Sequence, residues 1–164
     1  QRLAELLEPF KCKIIFYDGV EFSKEDLVTK FPSRSEDFIN SLQQSSLNEV
    51  LKEVDIVSIH IPLLKETQNL ISTDELACLK KDARIINTSR GGIVDEKALE
   101  DFLNQNENAF AAFDVFEKEP AFNHPLLKLN NFYATSHLGS MTIEGVISMG
   151  IAAINGLDEN RIPL

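Results

Sequence analysis

The chain contains no tryptophan, only two cysteines and only seven glycines in 164 residues. Cys12 and Cys78 form no short metal-type pair, so a disulfide scaffold and a cysteine-based zinc site are both excluded. Both thiols are expected to be buried, and no metal site is expected. No apolar run approaches the ~20 residues that a membrane span requires. Basic charge is scarce: 16 Lys and Arg against 26 Asp and Glu give a net charge of −10. A broad basic face for nucleic acid or anionic lipid is therefore not expected. Repeats and low-complexity tracts are missing, and no signal peptide opens the chain, so the expected compartment is the cytoplasm. A composition of 43% hydrophobic and 26% charged residues excludes intrinsic disorder. The length fits one domain, or one domain plus a fragment.

Helical and strand patterns alternate along the sequence. Leu3, Leu6, Leu7 and Phe10 stand at helical spacing. Cys12 to Tyr17 reads as a short strand, stopped by Asp18-Gly19. Ser23 and Ser35 are candidate helix caps, and Phe31-Pro32 breaks the segment between them. Ser46-x-x-Glu49 and Ser72-x-x-Glu75 are capping boxes, each preceding a helix. Strands are expected at Val54 to Ile61, Ala83 to Asn87, Ala109 to Val115 and Phe132 to Thr135. The nearly continuous apolar character of Val54 to Ile61 predicts burial on both faces, as in a parallel sheet. Asp95 can cap a helix carrying Leu99, Phe102 and Leu103. A long closing helix over 142–157 carries Ile143, Val146, Ile147, Ile151, Ile154 and Leu157 on one stripe, and 158–164 reads as a tail. Five strands separated by helices predict an α/β domain with a mainly parallel sheet, whose ligands sit beyond the carboxyl ends of the strands.

The residues with chemical potential fall at those ends. Asp18 follows the first strand, where an acidic side chain can accept hydrogen bonds from a ribose; a turn carboxylate before Gly19 is the plainer reading. Asn87-Thr88-Ser89-Arg90-Gly91-Gly92 runs from a strand into glycines that allow close backbone approach, with an arginine fork suited to a carboxylate. Glu119 precedes Pro120 in an acidic loop, and proline disfavours helix at the residue before it. His137 lies in a loop with Gly139 two residues on, where it can serve as a proton donor. His60 is either a core or a ligand-facing histidine, and His124, before Pro125, is expected to be exposed. Arginine, glutamate and histidine after three separate strands match what reduction of a 2-oxo acid requires. The arginine holds the substrate carboxylate, and a carboxylate-oriented histidine protonates the carbonyl oxygen.

These motifs resemble the D-isomer-specific 2-hydroxyacid dehydrogenases, which include phosphoglycerate, glycerate and D-lactate dehydrogenases. They are Val54 to Leu63 with Glu66-Thr67, Ile86 to Gly92, Asp114 to Pro120 and His137-Leu138-Gly139-Ser140, and they stand in the family's order over nearly the whole chain. The resemblance implies a Rossmann-like doubly wound parallel sheet, NAD as cofactor and a small 2-hydroxy or 2-oxo acid as substrate. It implies that Arg90 binds the substrate carboxylate, that His137 is the general acid/base and that Glu119 is its partner. Asp18 would hold the adenosine ribose, with His60, Ile61 and Pro62 lining the adenosine side. Asp114 would reach the nicotinamide carboxamide, with Thr88, Ser89 and Gly139 close by through their backbone. Glutamate at 119, where the formate dehydrogenases of this superfamily have glutamine, points to a hydroxy-acid enzyme.

The sequence departs from the family in one large respect. Its Gly-x-Gly-x-x-Gly turn has no counterpart here, so the first strand and the glycine-rich turn are expected to be missing, together with a substrate domain. Residues 1–164 then form a partial, N-terminally truncated NAD-binding domain that works as part of a longer chain and is inactive alone. A homodimer is expected, since cofactor domains of this family pair. The competing readings are an NAD-sensing co-regulator of the same fold, as in the C-terminal-binding proteins, and a vestigial product.

Overall fold

The computed structural model of the chain describes residues 2–159. It opens with α1 (Arg2–Leu7) and a 3₁₀ turn at Glu8–Phe10, followed by β1 (Ile14–Phe16), α2 (Lys24–Lys30) and α3 (Glu36–Ser41). Next come β2 (Leu42–Gln44), α4 (Leu47–Glu53), β3 (Ile56–Ile59), α5 (Thr73–Cys78) and β4 (Arg84–Asn87). The chain continues through α6 (Glu96–Gln105), β5 (Phe110–Phe113), a 3₁₀ turn at Pro125–Lys128, β6 (Phe132–Ala134) and α7 (Ile143–Glu159). Every predicted strand is present, trimmed at its ends, and every strand pair is parallel.

Local sequence explains where the helices start. The Ser23 hydroxyl accepts the Asp26 N–H at 3.2 Å while the Asp26 carboxylate accepts the Ser23 N–H at 2.9 Å. Ser35 caps α3 through the Phe38 N–H. Glu49 and Glu75 reach back to the N–H groups of Ser46 and Ser72. Asp95 accepts two N–H groups, from Lys97 and Ala98. Each cap satisfies donors that an isolated helix leaves open.

The strands form two sheets, β1-β2 and β3-β4-β5-β6. The four-stranded sheet packs under α4, α5 and α6 through Leu51, Leu76, Ile85, Ile93, Leu99, Leu103 and Leu126, all essentially solvent-free. Each such side chain contributes about 1.5–3 kcal/mol of burial. A smaller cluster of Phe31, Phe38 and Ile39 holds α2 and α3 against Ile14 and Leu42.

The open edge of β1 and the open edge of β3 border one cavity of about 360 Å³, walled by Ile14, Phe16, Val57 and Ile59. This corrects the expectation that β3 is buried on both faces. Among the described residues it is an edge strand, and Ile56 is 59% exposed. The cysteines are corrected as well. Cys12 is exposed in the segment before β1 and belongs to neither core cluster, and Cys78, at the end of α5, packs against the edge of the main core and is only half-buried. The closing helix begins at Ile143 and continues through Glu159, so the first two residues of the expected tail are helical. Residues 160–164 lie outside the described residues. No helix among the described residues is long and apolar enough to cross a membrane.

Candidate active site

The turn after β4 is built by a side chain. Asn87 is fully buried; its amide donates to the Arg90 carbonyl at 2.9 Å and its carbonyl accepts the Ser89 N–H at 3.1 Å. The Ser89 hydroxyl donates to the Ile61 carbonyl, tying this turn to the one after β3. Thr88 and Arg90 are thereby left on the exposed rim. The Arg90 guanidinium donates to the Ser89 carbonyl at 2.7 Å. The glycines were expected to let backbone approach a ligand; Gly91 instead makes its close approach to the backbone of Phe116. A Cβ there would stand 1.9 Å from the Phe116 carbonyl carbon, so only glycine lets the loop after β5 pass behind the arginine turn.

That loop carries Asp114 and Glu119. Asp114 is buried and accepts three donors, the Thr135 hydroxyl and the N–H groups of Leu138 and Gly139, the latter two each at 2.8 Å. Burial alone would raise its pKa, but these hydrogen bonds outweigh the desolvation and hold it below the ordinary aspartate value. Asp114 therefore braces the loop that presents His137. His137 sits in the left-handed region, at φ 56°, a conformation that few non-glycine residues adopt.

His137 Nδ1 lies 2.8 Å from Glu119 Oε2, and the Phe116 N–H donates to Glu119 Oε1 at 3.0 Å. The His137 contact first, and the Phe116 N–H second, keep Glu119 below the ordinary glutamate value. With Nδ1 engaged, Nε2 is the ring nitrogen left to face a reactant. Asp114, Glu119 and His137 line one cavity of about 760 Å³, together with Phe116, Phe122 and Leu138. Such a volume suits a small ligand.

The other predicted residues gather elsewhere. Asp18, His60 and Ile61 line the cavity between β1 and β3. Asp18 Oδ1 accepts the Val20 N–H at 3.1 Å, as a turn carboxylate does, and Oδ2 has no partner among the described residues. His60 lies just beyond β3, with Nε2 2.8 Å from the Ser58 hydroxyl, and desolvation by its apolar surroundings lowers its pKa. Pro62 is exposed, and its carbonyl accepts the Thr67 hydroxyl at 2.7 Å. Arg90, Pro62, Thr88, Ser89 and Gly139 line neither of these two cavities. Among the described residues, no group of His, Cys, Asp and Glu side chains is placed to hold a metal ion.

One expectation is reversed. His124 is not an exposed loop histidine: its Nε2 lies 3.1 Å from Glu96 Oε2 and its side chain is 24% exposed. The ring packs against Phe116, with centroids 5.3 Å apart. Pro125 begins a 3₁₀ turn that folds the imidazole inward, where Nδ1 accepts the Leu126 N–H. Asn87, Glu96 and His124 are the supporting residues that sequence reasoning passed over. A polar asparagine ending an apolar strand was the one visible signal among them.

Residues 1–139 match the description "D-isomer specific 2-hydroxyacid dehydrogenase, NAD binding domain". A glyoxylate reductase of Thermofilum pendens is 41% identical over 155 residues, covering 94% of this chain and 43% of that protein. The D-mandelate dehydrogenase structure of Rhodotorula graminis superposes with a TM-score of 0.80 at 26% identity, over 94% of this chain and 42% of that one. The D-lactate dehydrogenase of Lactobacillus jensenii, solved with NAD+, gives a TM-score of 0.76 at 27% identity, over 94% and 47%. The chain thus spans less than half the length of these relatives. Ordered motifs, a parallel α/β fold and a histidine–glutamate pair at the strand ends agree with these matches: the chain belongs to the NAD-binding domain family of the D-isomer-specific 2-hydroxyacid dehydrogenases.

Proposed function

We propose that this chain supplies the cofactor-binding and acid–base part of an NAD-dependent D-2-hydroxyacid dehydrogenase, interconverting a small 2-hydroxy acid and its 2-oxo acid. The observation that carries the reading is the His137–Glu119 pair, 2.8 Å apart on the wall of a cavity of ligand size.

The residues present fit two parts of the cofactor. At one end, the unpartnered Oδ2 of Asp18 can accept from a ribose diol, beside apolar walls that include Ile61. At the other, the Asp114-braced loop offers backbone near the nicotinamide end. No Gly-x-Gly-x-x-Gly run in this sequence supplies N–H donors for the pyrophosphate. The cofactor, when bound, supplies or accepts the hydride. In the reductive direction His137 Nε2 gives its proton to the carbonyl oxygen. Glu119 at Nδ1 fixes the orientation of the ring. Arg90 takes the substrate carboxylate through its planar fork. The 164-residue chain by itself binds NADH weakly and turns over negligibly.

The test is NADH oxidation, followed by absorbance, by the intact protein that carries these residues. The panel is glyoxylate and the 2-oxo forms of lactate and mandelate, after the three relatives above. Reduction of at least one is expected, with His137→Gln lowering kcat by ~10²–10⁴. No NADH-dependent reduction of any of them would overturn the reading. Robust turnover by the isolated 164 residues would overturn the claim that they are inactive alone.

A further inference from the structure

We propose that Glu96 and His124 form a clamp that positions Glu119, and through it the imidazole of His137; the inference rests on the reaction proposed above. The clamp acts on the peptide between Phe116 and Glu117. Against that peptide stands Gly91, where a Cβ would lie 2.0 Å from the Phe116 oxygen and 2.3 Å from the Glu117 nitrogen. Glu96 Oε1 accepts the Glu117 N–H at 2.7 Å. The peptide is therefore fixed by two contacts, and its neighbour, the Phe116 N–H, is the group that binds Glu119 Oε1 at 3.0 Å.

His124 sets the second oxygen of Glu96. Its Nδ1 accepts the Leu126 N–H at 3.3 Å, so in the neutral ring the proton sits on Nε2, which lies 3.1 Å from Glu96 Oε2. Glu96 is only 11% exposed, so its carboxylate is shielded from competing water. Helix capping does not require it, because Asp95 already satisfies the first-turn donors of α6. A largely buried carboxylate with both oxygens committed, one to a backbone N–H and one to a histidine, is best explained by the loop that it holds. That loop ends in Glu119, whose other oxygen meets His137. A shift of about 1 Å in such a group can cost ~10²-fold in rate.

The experiment uses the intact protein and two readouts. The first is the Glu119 carboxyl titration by carbon NMR, assigned by difference with Glu119→Gln. Glu119 is held low by His137 and the Phe116 N–H, against partial desolvation and the like charge of Asp114. Glu96→Ala frees the Phe116–Glu117 peptide, and the Glu119 midpoint moves up toward the ordinary glutamate value. Glu96→Gln keeps an acceptor oxygen but turns an amide donor toward His124 Nε2, so it moves the midpoint less, in the same direction. The second readout is kinetic. Glu96→Ala lowers kcat by ~10–100-fold with the KM for the 2-oxo acid little changed, and adds little further loss once Glu119 is already Gln.

An unmoved Glu119 titration in a folded Glu96→Ala protein overturns the clamp. So does an equal kcat loss with and without Glu119. If Glu96→Ala does not fold, Glu96→Gln decides by the same two readouts. A moved titration in a protein that reduces no 2-oxo acid would leave the clamp standing and remove the dehydrogenase reading instead.

Discussion

Opposing influences act on Glu119. The His137 ring and the Phe116 N–H favour its ionised form, partial desolvation and then the like charge of Asp114 oppose it, and the donors prevail. A carboxyl held lower in the folded chain than in the unfolded one stabilises the fold above the unfolded value. That stability is lost as the pH falls through the folded value. The difference in urea midpoint between the parent and Glu119→Gln is therefore expected to be fully present above the ordinary glutamate value and to close below pH ~4. A difference that stays constant down to pH ~2 would contradict this. Asp114 follows the same sign with more at stake, because it is buried. Asp114→Asn turns one acceptor into a donor facing either the Gly139 N–H, or the Leu138 N–H and the Thr135 hydroxyl together. A loss of about 1–3 kcal/mol is expected, read by urea denaturation at neutral pH. The meeting of Glu119 and His137 was legible in the sequence because each lies in a loop after a strand, where loops carry chemistry; Arg90 also follows a strand but lines neither cavity. His124 was not legible: its partner Glu96 lies on another element, and local sequence shows only a histidine before a proline. That Asp114 also braces the loop 135–139 was not legible either, since nothing local reveals that the loop folds back onto it.

At the scale of elements, the caps were the most readable feature and offer the plainest test. Asp95→Ala removes the acceptor for two N–H groups at the start of α6. It is expected to cost about 1 kcal/mol, and Asp95→Ser to restore most of it; equal stability of the Ala and parent proteins would contradict the assignment. β2 was not readable. Leu42–Gln44 is three residues long, two of them glutamines, and it becomes a strand only because Phe16 and its neighbours in β1 offer backbone partners. β3 was readable as a strand but not as an edge. Apolar continuity reports that a strand is shielded from water, not which neighbour shields it, and its exposed Ile56 faces the cavity beside β1. Gly91 joins residue to element. Gly91→Ala forces the β5 loop away from the β4 turn, so stability and the Glu119–His137 contact are expected to fail together. A loss of about 1–3 kcal/mol fits the cost of overpacking.

For the whole molecule, the apolar surface is larger than the fold itself uses. Ile143, Val146, Ile147, Ile151 and Ile154 form one stripe along α7, and each is at least 53% exposed. Burying an isoleucine or valine contributes about 1.5–3 kcal/mol, so five of them can offset a large part of the ~4–15 kcal/mol that association costs. The net charge of −10 opposes the approach of two copies, and salt weakens that opposition by shortening the screening length to ~8 Å at 0.15 M. The 164-residue chain is therefore expected to self-associate through α7, more strongly as salt and protein concentration rise. Ile147→Lys with Ile151→Lys should return it to the monomer by placing two charges in the stripe. Light scattering reads this directly, since the monomer mass is 18.4 kDa. A mass of 18.4 kDa at every concentration and salt level would show that five exposed isoleucine and valine side chains do not suffice against the charge. A high mass unchanged by the lysines would move the interface to the open edges of β1 and β3, whose unpaired backbone groups are the next surface able to recruit a second chain.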